Sequence, residues 1–220
     1  MPFASDGSIT YENIIWRYNM DLANTLGNLL SRTVAMIQKY FDGVLIGPAV
    51  SPASEEKATD DELCEEARRS VGRAILDMKE LKVADAIDEI FSIARRSNKY
   101  IDVTMPWALA KEAETDPAKK ERLGTVLYNL AESLRFAGVL IEPFLPDTGK
   151  KILDVLCVPE NQRTFDSLDT FGKLERGAKV GEGLTLFARL DEKKVLAELL
   201  SEQQSIQQAA QKANEEANKS

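Results

Sequence analysis

Between Ile9 and Phe41 the apolar residues recur at a spacing that only a helix gathers onto one side. Counting from Leu22 at about 100° per residue, Ile15, Leu26, Leu29, Thr33 and Tyr40 fall together, with Leu30 and Ile37 beside them. One amphipathic helix is predicted over the whole stretch. A stripe this wide must be covered by other helices, because apolar surface left in water is unfavourable. The opposite side carries Asp21, Asn28, Arg32 and Lys39. Asn28 and Arg32, four residues apart, project side by side. An amide that donates and accepts, next to a planar fork of donors, suits the edge of a nucleobase.

The rest of the chain supplies the cover. A second helix is expected from about Asp60 to Leu81, with Leu63, Ala67, Ala74, Ile75 and Met78 inward. A third runs from Lys82 or Val83 to about Ile101, burying Ala86, Ile87, Ile90, Phe91 and Ala94. It breaks ahead of Pro106, since a residue before proline avoids helical torsions. Pro106 opens a short helix to Lys111 or Glu112, as proline suits a first turn. Thr115-Asp116-Pro117 caps a long helix from about Ala118 to Ile141, with Leu123, Val126, Leu127, Leu130 and Leu134 buried. Pro143 and Pro146 end it, and Asp147-Thr148 caps a further helix to about Leu156. Ser8 or Thr10 caps the first helix, Ser5-Asp6-Gly7 signals a turn, and Gly43 and Gly47-Pro48 open a loop through Ser54.

No alternating strand run precedes Leu190; Gly183 to Arg189 is at most a short extended piece. The reading is therefore all-α, a helix bundle over residues 1–190. Residues 191–220 form a helical extension. Val195, Leu196, Leu199 and Leu200 give it an apolar stripe, and it frays into disorder beyond about Ser205, where little remains to bury.

Several kinds of chemistry are excluded by what the sequence lacks. It contains no histidine, which removes Ser–His and Cys–His pairs and histidine metal sites. No Gly-x-Gly-x-x-Gly or P-loop pattern occurs. Two cysteines, Cys64 and Cys157, are too few for a disulfide framework and are expected to be reduced. The net charge of −8 argues against general nucleic-acid binding. A single-stranded loop, recognised by stacking and a few contacts, needs only a local basic patch. Carboxylate groups such as Asp60/Asp61 and Asp85/Asp88/Glu89 are read as solvated faces. Arg68-Arg69 and Arg95-Arg96 are expected to pair with neighbouring acids, Glu65 and Asp88 among them, or to face water. No apolar run approaches the roughly 20 residues of a membrane helix, and no secretory or transit segment is seen.

The run from Tyr18 to Thr33, YNMDLANTLGNLLSRT, resembles the first helix of the anticodon-binding domain of bacterial methionyl-tRNA synthetases. The flanks Phe3-Ala4-Ser5-Asp6-Gly7 and Lys39-Tyr40-Phe41-Asp42-Gly43 resemble it as well. So do Pro106-Trp107, Leu127-Tyr128-Asn129-Leu130-Ala131-Glu132 and Phe144-Leu145-Pro146, in the family's order from Phe3 to about Leu190.

The resemblance implies the anticodon-binding bundle of a class I aminoacyl-tRNA synthetase. It implies that Trp107 stacks under the first anticodon base, a cytosine, while Asn28 and Arg32 hydrogen-bond its pairing edge. The residues alone leave Trp107 open between a core tryptophan and a stacking platform, and Asn28 and Arg32 between an ordinary polar face and a reading head. Trp16, outside the matched motifs, is expected in the core or at an interface. The family's ligase joins methionine to its tRNA with ATP, in a Rossmann-type domain bearing His-Ile-Gly-His-like and Lys-Met-Ser-Lys-Ser-like motifs. Neither motif occurs in this sequence.

The expectation is therefore the C-terminal part of a cytoplasmic methionine–tRNA ligase, inactive alone and lacking the family's optional C-terminal dimerisation module. Its partners would be methionine tRNA and the catalytic domain, with no DNA and no membrane. It would hold no catalytic residue, metal or cofactor of its own, ATP and methionine belonging to the catalytic domain. The alternative is a stand-alone helical interaction protein that uses the bundle without RNA.

Overall fold

The structure is a computed structural model and describes residues 9–48 and 54–217. The Phe3–Gly7 motif, the Ser5-Asp6-Gly7 turn, Ser8 and the centre of the loop before Ser54 lie outside the described residues. The described chain is helical throughout its bundle: α1 (Tyr11–Arg17), a π-helical stretch (Tyr18–Gly27), α2 (Asn28–Phe41), α3 (Ser54–Lys79), α4 (Val83–Thr104), α5 (Pro106–Glu112), α6 (Pro117–Ile141), α7 (Pro146–Val155) and α8 (Glu192–Ala217). Among the described residues the only extended pairing is one antiparallel bridge, Val44 to Lys179.

The first three stretches form one continuous helix, as the periodicity predicts, but not an ideal one. Thr10 caps it, its hydroxyl accepting the Asn13 amide at 3.3 Å. Over Tyr18–Gly27 hydrogen bonds reach one residue farther back. The Asn28 amide donates to the Ala23 carbonyl, and the Thr25 hydroxyl donates to the Met20 carbonyl at 2.8 Å. A π turn holds more residues than an α turn, so the face slips. Ala23 turns inward and Leu22, the origin of the predicted stripe, is only half-buried. Leu26, Leu29, Leu30, Thr33, Val34 and Ile37 are buried, and Tyr40 is half-buried.

The centre of the bundle is α6, not the first helix. Every residue from Arg122 to Ile141 is buried. The prediction of one buried side fails because α6 is surrounded, by α2, α3, α4, α5 and α7. Close approach uses its glycines. A Cβ on Gly124 would lie 3.0 Å from the Ile46 side chain, and one on Gly138 would lie 3.0 Å from that of Leu153.

The polar residues of α6 are buried but paired. Arg135 and Glu132 are fully buried and bonded at 2.6 Å. The Glu132 carboxylate also accepts the amides of Gly172, Lys173 and Leu174, while Arg135 donates to Ser167 Oγ and the Gln162 carbonyl. Together they fasten the 160–174 loop to the bundle.

A second network corrects the reading of Asp60 as a solvated acid. Asp60 is buried and takes a bidentate pair from Arg122 at 2.7 and 2.9 Å, plus the Tyr100 hydroxyl at 2.5 Å. Its neighbour Asp61 does face water, paired with Lys57. Arg69 pairs with Glu66, Arg96 with Glu62 and Arg95 with Asp88, while Arg68 is exposed.

Other boundaries move as well. Pro146 starts α7 rather than ending α6, and no side chain caps that helix: Asp147 and Thr148 lie inside it. α4 continues to Thr104, and α3 begins at Ser54 and stops at Lys79. Ile75 and Met78, predicted inward, are 37% and 40% exposed, because they line an open apolar groove with Ile90, Leu140 and Phe144 rather than a closed core. Trp16, at 53% exposure, is not in the core. Cys64 is half-buried and Cys157 exposed.

Residues 178–190 form an irregular strap that runs antiparallel along the first helix. Gln38 donates to the carbonyls of Val180 and Gly181, Ser31 to that of Leu184. Asn19 closes a two-way bond with the Leu190 backbone at 2.9 and 3.0 Å. Leu186 and Phe187 pack on the core, as expected, with Phe187 edge-on to Tyr18 at 5.9 Å. α8 then packs against α1 and continues to Ala217, well past the predicted end near Ser205. Its Ala, Gln, Lys and Glu residues are strong helix formers.

Candidate nucleic-acid interface

Two helices build the site. α2 carries Asn28 at its first turn and Arg32 one turn later. Asn28 is exposed, and its side chain makes no hydrogen bond among the described residues. Arg32 is half-buried and has no carboxylate in ion-pair range among the described residues. Its fork of five donors makes no hydrogen bond to a carboxylate among the described residues.

Trp107 comes from α5, and its position is set by the turn before it. Met105 is left-handed, at φ 44° and ψ 62°, and serves both as the end of α4 and the start of α5. A residue before proline is pushed out of the right-handed helical region, and a left-handed conformation at a non-glycine is strained. Local bonds hold it there. The Met105 amide donates to Ile101, its carbonyl accepts Ala108 at 2.8 Å, and the Thr104 hydroxyl returns to Tyr100 at 2.7 Å. Pro106 is buried, fixing the entry of α5, which packs on α6 through Leu109 and Ala110.

The outcome leaves Trp107 43% exposed, with the Arg32 guanidinium carbon 6.0 Å from its ring centroid. So of the three expected residues, the fold brings Arg32 and Trp107 together directly, and Asn28 shares their helix face through Arg32. An open aromatic face, a free guanidinium and a free amide can stack a planar ring and bond its edge.

The sequence did not mark the cleft that Trp107 also lines. A cleft of about 540 Å³ runs between α2, α5 and the start of α6. Lys39, Tyr40, Trp107, Lys111 and Lys120 line it, with Leu123 among its apolar lining. The one available signal was the spacing of Lys39, seven residues after Arg32 and so on the same helical face. Lys111 and Lys120 carried none. Among the described residues no group of three or more His, Cys, Asp or Glu side chains is arranged to hold a metal, and no helix is long and apolar enough to cross a membrane.

Known proteins resemble the chain along nearly its whole length. The family model described as the anticodon binding domain of methionyl tRNA ligase matches residues 50–204. The methionine–tRNA ligase of Caldanaerobacter subterraneus subsp. tengcongensis is 49% identical over 199 residues, which is 90% of this chain and 30% of that protein. That of Bacillus subtilis is 43% identical over 198 residues, again 90% of this chain and 28% of the relative. The crystal structure of the apo form of Mycobacterium tuberculosis methionyl-tRNA synthetase superposes with a TM-score of 0.78 at 33% identity. It covers 87% of this chain and 37% of that one. The chain thus spans about 30% of the length of the curated relatives it matches. With the fold, the motif order and these relatives in agreement, the chain belongs to the family of methionyl-tRNA ligase anticodon-binding domains.

Proposed function

We propose that this chain recognises the anticodon of methionine tRNA on behalf of a cytoplasmic ligase that joins methionine to that tRNA using ATP. Trp107 offers its exposed ring as the platform for the first anticodon base, a cytosine. Arg32 and Asn28 bond the pairing edge of that base. The observation that carries this reading is the Arg32 guanidinium beside the exposed Trp107 ring. A base laid on that ring presents its edge to the fork, as single-stranded loops are read. The acidic chain supports this where it matters, because Arg32, Lys39, Lys111 and Lys120 surround Trp107 without ion-pair partners among the described residues.

ATP and methionine belong to the catalytic domain of the ligase, and these 220 residues alone should charge no tRNA. The apolar side chains Ile14, Trp16 and Met20, exposed along the first helix, suit contact with that domain. The test is binding of methionine tRNA by the chain, compared with the same tRNA altered at the first anticodon base. Stronger binding to the unaltered tRNA is expected. Equal binding to both would overturn the reading.

A further inference from the structure

The cleft behind Trp107 is a site of its own. Its lining holds three lysines from three helices, Lys39 of α2, Lys111 of α5 and Lys120 of α6, and a single carboxylate, Glu114. All three lysines are exposed, and none has an acidic partner within 4.0 Å among the described residues. The contrast with the next lysine is direct, since Lys119 is paired with Glu112 at 3.4 Å. Lys39 is held with its ammonium 5.3 Å from the Tyr40 ring. In a chain of net charge −8, three lysines without acidic partners lining one groove mark a place for an anion. Lysine is a flexible point charge without the fork that reads bases. It therefore suits phosphate, whose position in a strand is independent of sequence.

Resting on the reading of Trp107 as a base platform, we propose that Lys39, Lys111 and Lys120 grip the phosphodiester backbone of the RNA strand next to the stacked base. Arg32 and Asn28 then discriminate, while the lysines of the cleft supply affinity without discrimination. The ligand class is a single-stranded RNA backbone, and the contact is ionic.

The experiment uses the whole chain and a synthetic hairpin carrying the CAU anticodon, with a second hairpin altered at the first anticodon base. Binding is measured over a range of salt concentrations for the Lys39→Gln/Lys111→Gln/Lys120→Gln variant. The control variant is Lys150→Gln/Lys151→Gln/Lys193→Gln, on α7 and α8, which changes the net charge equally. All six lysines are exposed, so both variants should fold. Each lost phosphate contact lowers the slope of log affinity against log salt by about 0.7, so the cleft variant should lose about 2. Its affinity should fall by a similar factor on both hairpins, while the control keeps the unaltered slope. An unchanged slope in the cleft variant, an equal drop in the control, or a loss confined to the CAU hairpin would each overturn the proposal. The first two leave the reading of Trp107 standing. Failure of the unaltered chain to distinguish the two hairpins would remove that reading instead, and failure to bind either would remove both.

Discussion

The guanidinium of Arg32 stands 6.0 Å from the centroid of the Trp107 ring, reached from two helices that share no sequence neighbourhood. At that separation a cation is at the outer limit of attraction to an aromatic face. The contact is therefore weak enough for an incoming base to share the ring with it. It still keeps the donor fork beside the surface on which the base would lie.

Replacing the proposed platform, Trp107, should be felt directly. Stacking a base on an aromatic side chain is worth about 1–3 kcal/mol. Trp107→Ala should weaken tRNA binding by roughly tenfold to a hundredfold, and Trp107→Phe by less, in a fluorescence or filter-binding titration. If Trp107→Ala binds as tightly as the parent, the ring is not a platform.

Removing Asn28 or Arg32 should have a different signature. Asn28→Ala and Arg32→Ala should blunt discrimination at the first anticodon position more than they reduce total binding. Arg32→Lys should not restore it, because an ammonium cannot present two parallel donors. Each variant is titrated against the normal tRNA and one changed at that base. Equal losses on both would show that neither residue reads it.

Much of this arrangement was legible in the residues, and what was not has a physical reason. Pro106 and Asp116-Pro117 announced their helices because proline and caps act locally; the Asp116 side chain accepts the Ala118 amide at 2.9 Å. The central role of α6 was hidden. A helix buried on every side has no one-sided apolar stripe, and nothing local in the sequence marks Glu132 and Arg135 as a buried pair. Asp60 and Asp61 look alike in sequence, and only Arg122 and Tyr100, from two other helices, separate them. The π-helical slip at Leu22 leaves no mark on a periodicity of constant turn per residue. As for the site, the pairing of Asn28 with Arg32 follows from helix spacing. The approach of Trp107 was expected only from the family resemblance, since no local rule joins α5 to α2.

The Asp60–Arg122 pair should be worth a great deal to stability. Removing one member of a buried pair leaves the other charge without compensation and typically costs about 3–5 kcal/mol. Asp60→Ala should fall in that range by urea unfolding, while Asp60→Leu/Arg122→Met should cost less than the single change. Asp61→Ala, whose lysine partner is exposed, should leave the midpoint nearly unchanged. A harmless Asp60→Ala would mean that water reaches the pair.

Alkaline pH should destabilise the fold through Cys64. Burial, reinforced by the nearby Asp60 charge, pushes its thiol up to about 12. The folded protein then holds a proton that the unfolded chain releases nearer the ordinary thiol value. Stability is complete below that value and declines as pH rises toward about 12. Burial also raises Tyr100 and Tyr128, so both act in the same direction. Cys64→Ala should flatten the early part of the decline in unfolding free energy against pH. The same raised thiol should resist alkylation at mildly alkaline pH, whereas the exposed Cys157 should react. Labelling of Cys64 ahead of Cys157 in the folded chain would contradict this.

The last expectation concerns α8, whose two halves stand in different circumstances. Its first turns lie against α1, with Val195, Leu196 and Leu199 half-buried. They are anchored from behind by the Asn19–Leu190 bonds and an Asp191 cap on the Lys194 amide. From Leu200 to Gln207 every residue of the helix is exposed, Leu200 and Ile206 at 51% and 63%. A helix held only by its own hydrogen bonds is marginal at this length, because each residue gains little once packing is lost. Its amides should therefore open locally at far lower free energy than those of the core. Hydrogen exchange is expected to be slowest around Leu29 and Leu130, intermediate from Val195 to Leu199, and fast beyond Ser205. Asn19→Ala should accelerate exchange in the strap and the first turns of α8 while leaving α6 protected. Protection near Ser205 as strong as at Leu29 would mean that α8 draws support from something other than α1.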